Sequence, residues 1–142
     1  MYMDMSDTLP PIQPAGFPAN SSTRSWEVMC HLSSLVALIG VPFGNVLGPV
    51  LVWLIKRDAS PGVDAHGKEA VNFHLSWTLY WLVSTTVVGV LCVFLIGFLL
   101  LPFLILAYLI GIVAMLILSI VAAVKAGNGQ LYRYPLTIRF LT

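Results

Sequence analysis

Three histidines are the first residues to consider for chemistry: His31, His66 and His74. His66 and His74 lie eight positions apart, about 80° around a helix, so they cannot chelate one ion as an i, i+4 pair does. His31 can approach from an earlier segment, but no carboxylate or cysteine set completes a site. The two cysteines, Cys30 and Cys92, have neither metal-ligand nor redox spacing and read as packing residues. Serine, histidine and acidic residues all occur, yet without a nucleophile elbow. No glycine-rich loop runs into Lys-Ser/Thr to cradle a phosphate. The cluster His66, Lys68 and Glu69 is the one place where a lipid-acting membrane enzyme can be drawn. Motif logic therefore predicts no enzyme, no cofactor and no metal, with the histidines acting as hydrogen bonders.

A second pattern is sharper. Glu69, Asn72, Ser76 and Tyr80 follow steps of 3, 4 and 4 and so line one face of a helix. Polar groups at membrane depth face a bundle interior or a wet cavity, because lipid cannot satisfy them. This face reads either as a lining for a solute, proton or unfolded segment, or as an interfacial anchor with interhelical hydrogen bonds of about 0.6 kcal/mol each. The second reading is favoured.

Small residues mark where helices approach closely. Cys30, Ser33, Ala37 and Gly40 share one side of the first apolar arm, and Gly44 with Gly48 has small-xxx-small spacing. Gly111, with Ala107 and Ala114, forms a similar face near the end of the chain. Packing within the chain explains these faces; a homo-oligomer or partner-helix interface is the alternative.

The elements that carry these residues follow from charge. Val28 to Ile55 and Ala70 to Val124 contain no Lys, Arg, Asp or Glu, although the chain has 13 such residues in all. Charged residues make up 9% of the sequence, against about 25% in soluble domains, so a water-facing surface cannot be built. Net charge is +1, too small for a nucleic-acid footprint. About 20 apolar residues span a hydrocarbon core of roughly 30 Å. The expected fold is an all-α integral membrane bundle of four helices in two hairpins. The first block breaks at Gly40–Asn45, giving two short arms of about 15 and about 12 residues. In the second block Gly97 and Pro102 mark the reversal, which predicts a long third helix over 64–96 and a fourth over 103–125. Asp64 is placed as the third helix's N-cap, and its first two turns are polar.

With two hairpins every Lys and Arg falls on one side, so both termini are expected to be cytoplasmic. Reading the first block as a single span puts Arg24 on the other side, a three-span alternative. Residues 1–23, with four prolines, are expected to be a disordered cytoplasmic arm. Residues 24–126 are the membrane domain. In the tail, 127–142, Tyr134, Leu136, Ile138 and Phe140 alternate with polar or turn residues, which predicts an extended, half-buried segment.

Three stretches carry a family resemblance: Cys30-His31-Leu32-Ser33, the run from Trp53 through Phe73, and Tyr132 to Arg139. Over roughly residues 25 to 140 the chain resembles the bacterial Tic-twenty-like family of small membrane proteins, with certain magnetosome membrane proteins as relatives. The resemblance implies a four-helix domain in a bacterial inner membrane and supplies no catalytic residues. Its matched positions gather at the polar start of the third helix, making Asp64, His66, Lys68, Tyr134 and Arg139 a candidate cytoplasmic interface. The expected function is a membrane-embedded accessory subunit or scaffold, with lipid and other membrane subunits or further copies of itself as partners. A translocation or transport component using the Glu69–Tyr80 face is the alternative.

Overall fold

The computed structural model describes residues 21–142, and within them every regular element is helical. The Pro-rich arm therefore lies, up to residue 20, outside the described residues. Helix α1 (Ser21–Leu32) tightens into a 3₁₀ segment, Ser33–Ile39, before Gly40 turns the chain with a left-handed φ of 84°. Helix α2 (Gly44–Lys56) returns. A short 3₁₀ turn, Arg57–Ala59, leads into α3 (Pro61–Val93) and α4 (Ile96–Gly127). The all-α, four-helix architecture with a short first hairpin is as expected. Two helices, α3 and α4, are long and apolar enough to cross a membrane.

Two boundaries differ from expectation. The N-cap of α3 is Ser60, whose side chain accepts the Val63 N–H at 3.1 Å, with Pro61 opening the helix. Proline suits that position because its missing N–H is one that a helix start leaves unpaired. Asp64 is freed for other work: it accepts the Trp53 indole N–H at 2.8 Å and pairs with Lys68 at 2.8 Å. The α3–α4 reversal is the dipeptide Phe94–Leu95, with Leu95 at φ 64°, and not the stretch 97–102. Gly97 and Pro102 both sit inside α4. Gly97 is required by proximity, since a Cβ there would overlap the Cys92 backbone.

At 33 and 32 residues, α3 and α4 each run about 50 Å, some 20 Å beyond a hydrocarbon core. Burial divides them accordingly. The buried residues of α3 all fall between Gly62 and Ser76, and those of α4 concentrate between Met115 and Ala126. There the long hairpin is covered by α1, α2 and the tail, around a core of Phe73, Met115, Ala122 and Tyr134. Beyond it, Val87, Val90, Val93, Phe98, Leu99 and Phe103 are exposed and apolar.

Helix approach in the first hairpin depends on the predicted small residues. A Cβ on Gly48 would overlap the Ser33 carbonyl, and one on Gly44 would lie 2.8 Å from the Ala37 nitrogen. Gly111 admits the ring of Trp77. Gly67, absent from the expected set, lets Trp53 lie against α3. At the charged end Lys56 stands over the Trp26 ring and Lys125 over the Tyr132 ring, at 4.4 and 5.1 Å.

Candidate functional site

The face Glu69–Asn72–Ser76–Tyr80 is occupied by the chain's own tail. Gly129, at φ 75°, turns the chain out of α4, and a second turn at Pro135–Leu136 sends it back along α3 as an irregular, extended segment. Glu69 accepts the Tyr134 N–H at 2.9 Å. Tyr80 Oη donates to the Leu136 carbonyl at 3.0 Å, and Ser76 Oγ accepts the Ile138 N–H at 2.8 Å. Asn72 Oδ1 accepts both Phe140 and Leu141 N–H, while its Nδ2 donates to the Leu141 carbonyl at 2.8 Å. The register has a simple cause. Four helical residues rise about 6 Å and two extended residues advance about 6.6 Å, so positions 72, 76 and 80 meet tail positions two apart. A period-two tail on a period-four polar stripe satisfies backbone groups that lipid would leave unpaired.

Beneath the tail lies a buried cluster of polar side chains that sequence reasoning did not assemble. His31 Nδ1 is 2.9 Å from Tyr134 Oη, and His31 Nε2 is 3.0 Å from His66 Nδ1. His66 Nε2 in turn faces Glu27 Oε2 at 3.9 Å. At the other end Ser119 sits near the Tyr134 hydroxyl, with its Oγ 3.3 Å from His74 Nε2. Glu27, His31, His66, His74 and Ser119 are all no more than 2% exposed. Burial and the neighbouring Tyr132 and Glu69 hold the Tyr134 phenol above the usual tyrosine range, so it remains a donor.

The expected interface set separates. Asp64 and Lys68 form a partly exposed i, i+4 pair, and Arg139, 44% exposed, reaches Glu69 at 3.5 Å. His66 and Tyr134 are instead interior, because each has a polar partner inside and an apolar ring that packing favours; Tyr134 stacks on Phe73 with centroids 4.0 Å apart. Cys30 is buried against the Val63 carbonyl, 3.9 Å from its Sγ. His66, Lys68 and Glu69 point to three different partners and do not converge. Among the described residues no three His, Cys, Asp or Glu side chains gather as a metal-holding group. Glu27 was missed, although it lies four positions before His31 and therefore on the same helix face.

Comparison with curated proteins and with solved structures returned no match. The model of a family described as magnetosome magnetite crystal formation protein matches residues 22–141. It supports the magnetosome side of the resemblance and not the Tic-twenty-like name. Since that match runs through all four helices and takes in nearly the whole docked tail, the chain belongs to the magnetosome magnetite crystal formation protein family.

Proposed function

We propose that this chain is a non-catalytic, membrane-embedded scaffold or accessory subunit acting in magnetite crystal formation at the magnetosome membrane. The observation that carries the reading is the occupied polar face. Glu69, Asn72, Ser76 and Tyr80 are spent on the tail, so the residues best placed to line a translocation path hold the protein's own backbone. What stays free toward the bilayer is apolar, from Val87 on α3 to Phe103 on α4. Such a surface meets lipid, other membrane subunits or further copies of the chain. Lys56, Arg57, Lys68 and Lys125 share one end of the bundle, which favours both termini on the cytoplasmic side of an inner-membrane-derived compartment.

Deletion of the gene, read by electron microscopy of the crystals, tests this. The expected result is intact magnetosome membranes carrying crystals of altered size or shape, restored by the wild-type gene. Unaltered crystals overturn a role in crystal formation. Purification from mild detergent as a lone monomer, without any co-purifying membrane protein, overturns the scaffold reading.

A further inference from the structure

The His74 end of the buried polar cluster opens on a cavity of about 210 Å³ between the first hairpin and the α3–α4 pair. Its walls are mainly apolar, with Leu38, Trp81, Ile112 and Leu116 among them, and His74 and Ser119 supply its polar edge. Leu38 and Ile112 are 61% and 40% exposed, so the rim faces the apolar surface and not the charged end. A ligand would enter from the bilayer.

His74 is 2% exposed and its Nδ1 is buried without a hydrogen-bond partner. An unpaired polar atom in an apolar site is costly, and each such atom in a folded protein calls for an explanation. His74 Nε2 faces Ser119 Oγ at 3.3 Å, so Nδ1 is the ring nitrogen left for a ligand. Water is a poor occupant, since it needs two to four polar partners. The Ser34 hydroxyl is given to the His31 carbonyl and one Asn45 amide N–H to Thr78.

We propose that this cavity is a binding site for a membrane-soluble alcohol or phenol whose hydroxyl hydrogen-bonds His74 Nδ1 while its hydrocarbon body fills the space beside Trp81 and Leu116. The hydrogen bond fixes the orientation, and the apolar walls supply most of the affinity.

The test uses the full chain in lipid nanodiscs, with 1-naphthol, 1-methoxynaphthalene and naphthalene as matched probes and empty nanodiscs as the partition control. Wild type should bind 1-naphthol saturably and about tenfold more tightly than naphthalene, the effect expected of one hydrogen bond. The His74 Nδ1 nitrogen resonance should move with naphthol and stay still with naphthalene. Leu116→Trp, which fills the cavity and leaves His74 and Ser119 in place, should abolish saturable binding. His74→Phe should erase the preference for the hydroxyl. Equal retention of all three probes, a still nitrogen resonance, or undiminished binding by Leu116→Trp overturns the site. Should His74→Phe fail to fold, the matched probes on wild type and Leu116→Trp still decide.

Discussion

Asn72 holds Leu141 by both of its backbone groups: the side-chain amide donates to the Leu141 carbonyl at 2.8 Å and its oxygen accepts the Leu141 N–H at 2.9 Å. A carboxamide on a helix thus serves as one rung of a strand partner, and the tail gains an edge to pair with where no sheet exists. Because Asn72 is 1% exposed, both halves of this exchange are made out of water, where unmade hydrogen bonds cost most. The arrangement recognises backbone rather than side chains.

Asn72→Leu should therefore release the end of the tail and leave the helices in place. Three hydrogen bonds to Phe140 and Leu141 disappear together, a local loss of about 1–3 kcal/mol. Hydrogen exchange at these two amides should accelerate by about 10–100-fold. Amides of α4 should keep their protection. Unchanged exchange at 140 and 141 would mean that the tail is held elsewhere.

Two glycines should respond oppositely to the same added methyl. In Gly48→Ala the new Cβ meets the Ser33 backbone carbonyl, which has nowhere to move. We expect a loss of about 1–3 kcal/mol, the usual cost of overpacking, seen as an earlier thermal transition in detergent. Gly89→Ala meets nothing within 4 Å and removes an entropic penalty inside α3. It should stabilise the helix by about 0.5–1 kcal/mol. Destabilisation by both would show that the far half of α3 is packed against something.

Much of this was legible before any coordinates. The steps between Glu69, Asn72, Ser76 and Tyr80 are local, so a helical period reveals their shared face. The tail's alternation is local too and suggests an extended, half-buried segment, yet of its four apolar residues only Tyr134 is buried, because the tail docks through its backbone and leaves Leu136, Ile138 and Phe140 exposed. What no local pattern carries is that the two meet, because the tail contributes its backbone, and every residue has the same backbone. His31, His66 and Tyr134 met across separations of 35 and 103 positions, which only packing resolves. The reversal at Phe94–Leu95 was hidden for another reason: neither residue is a turn former. The nearby Gly97 and Pro102 drew attention to positions that have close approach and helix interior as their actual settings.

Tyr134→Phe isolates the hydroxyl from the ring. Stacking on Phe73 survives, while His31 Nδ1 loses its hydrogen-bond partner. The expected cost is about 1–3 kcal/mol. The intact phenol also makes a pH prediction. Its value is raised on folding from an ordinary 10.0, so the unfolded chain releases this proton first as pH climbs. Stability from this group is complete below about pH 10 and declines above it. Wild type should lose stability between pH 10 and 12 more steeply than Tyr134→Phe, measured by denaturation at fixed ionic strength. Parallel curves would place the phenol in contact with solvent.

The hairpin joining the two long helices offers a gain of stability. Leu95 stands at φ 64°, where the Cβ of an ordinary residue crowds the following carbonyl and costs about 1–2 kcal/mol. Its side chain is 76% exposed, so little packing is lost on removing it. Leu95→Gly relieves the crowding but gives back part of the gain through a more flexible unfolded chain. In detergent, where no lipid acts on the side chain, we expect a net stabilisation of about 0.5–1 kcal/mol and a higher transition temperature. In a bilayer the balance shifts, since Phe94, Leu95 and Ile96 together present an apolar cap to the far interface or core. Leu95→Gly should then stabilise more in detergent than in lipid, and an equal gain in both would show that this tip stays out of the hydrocarbon.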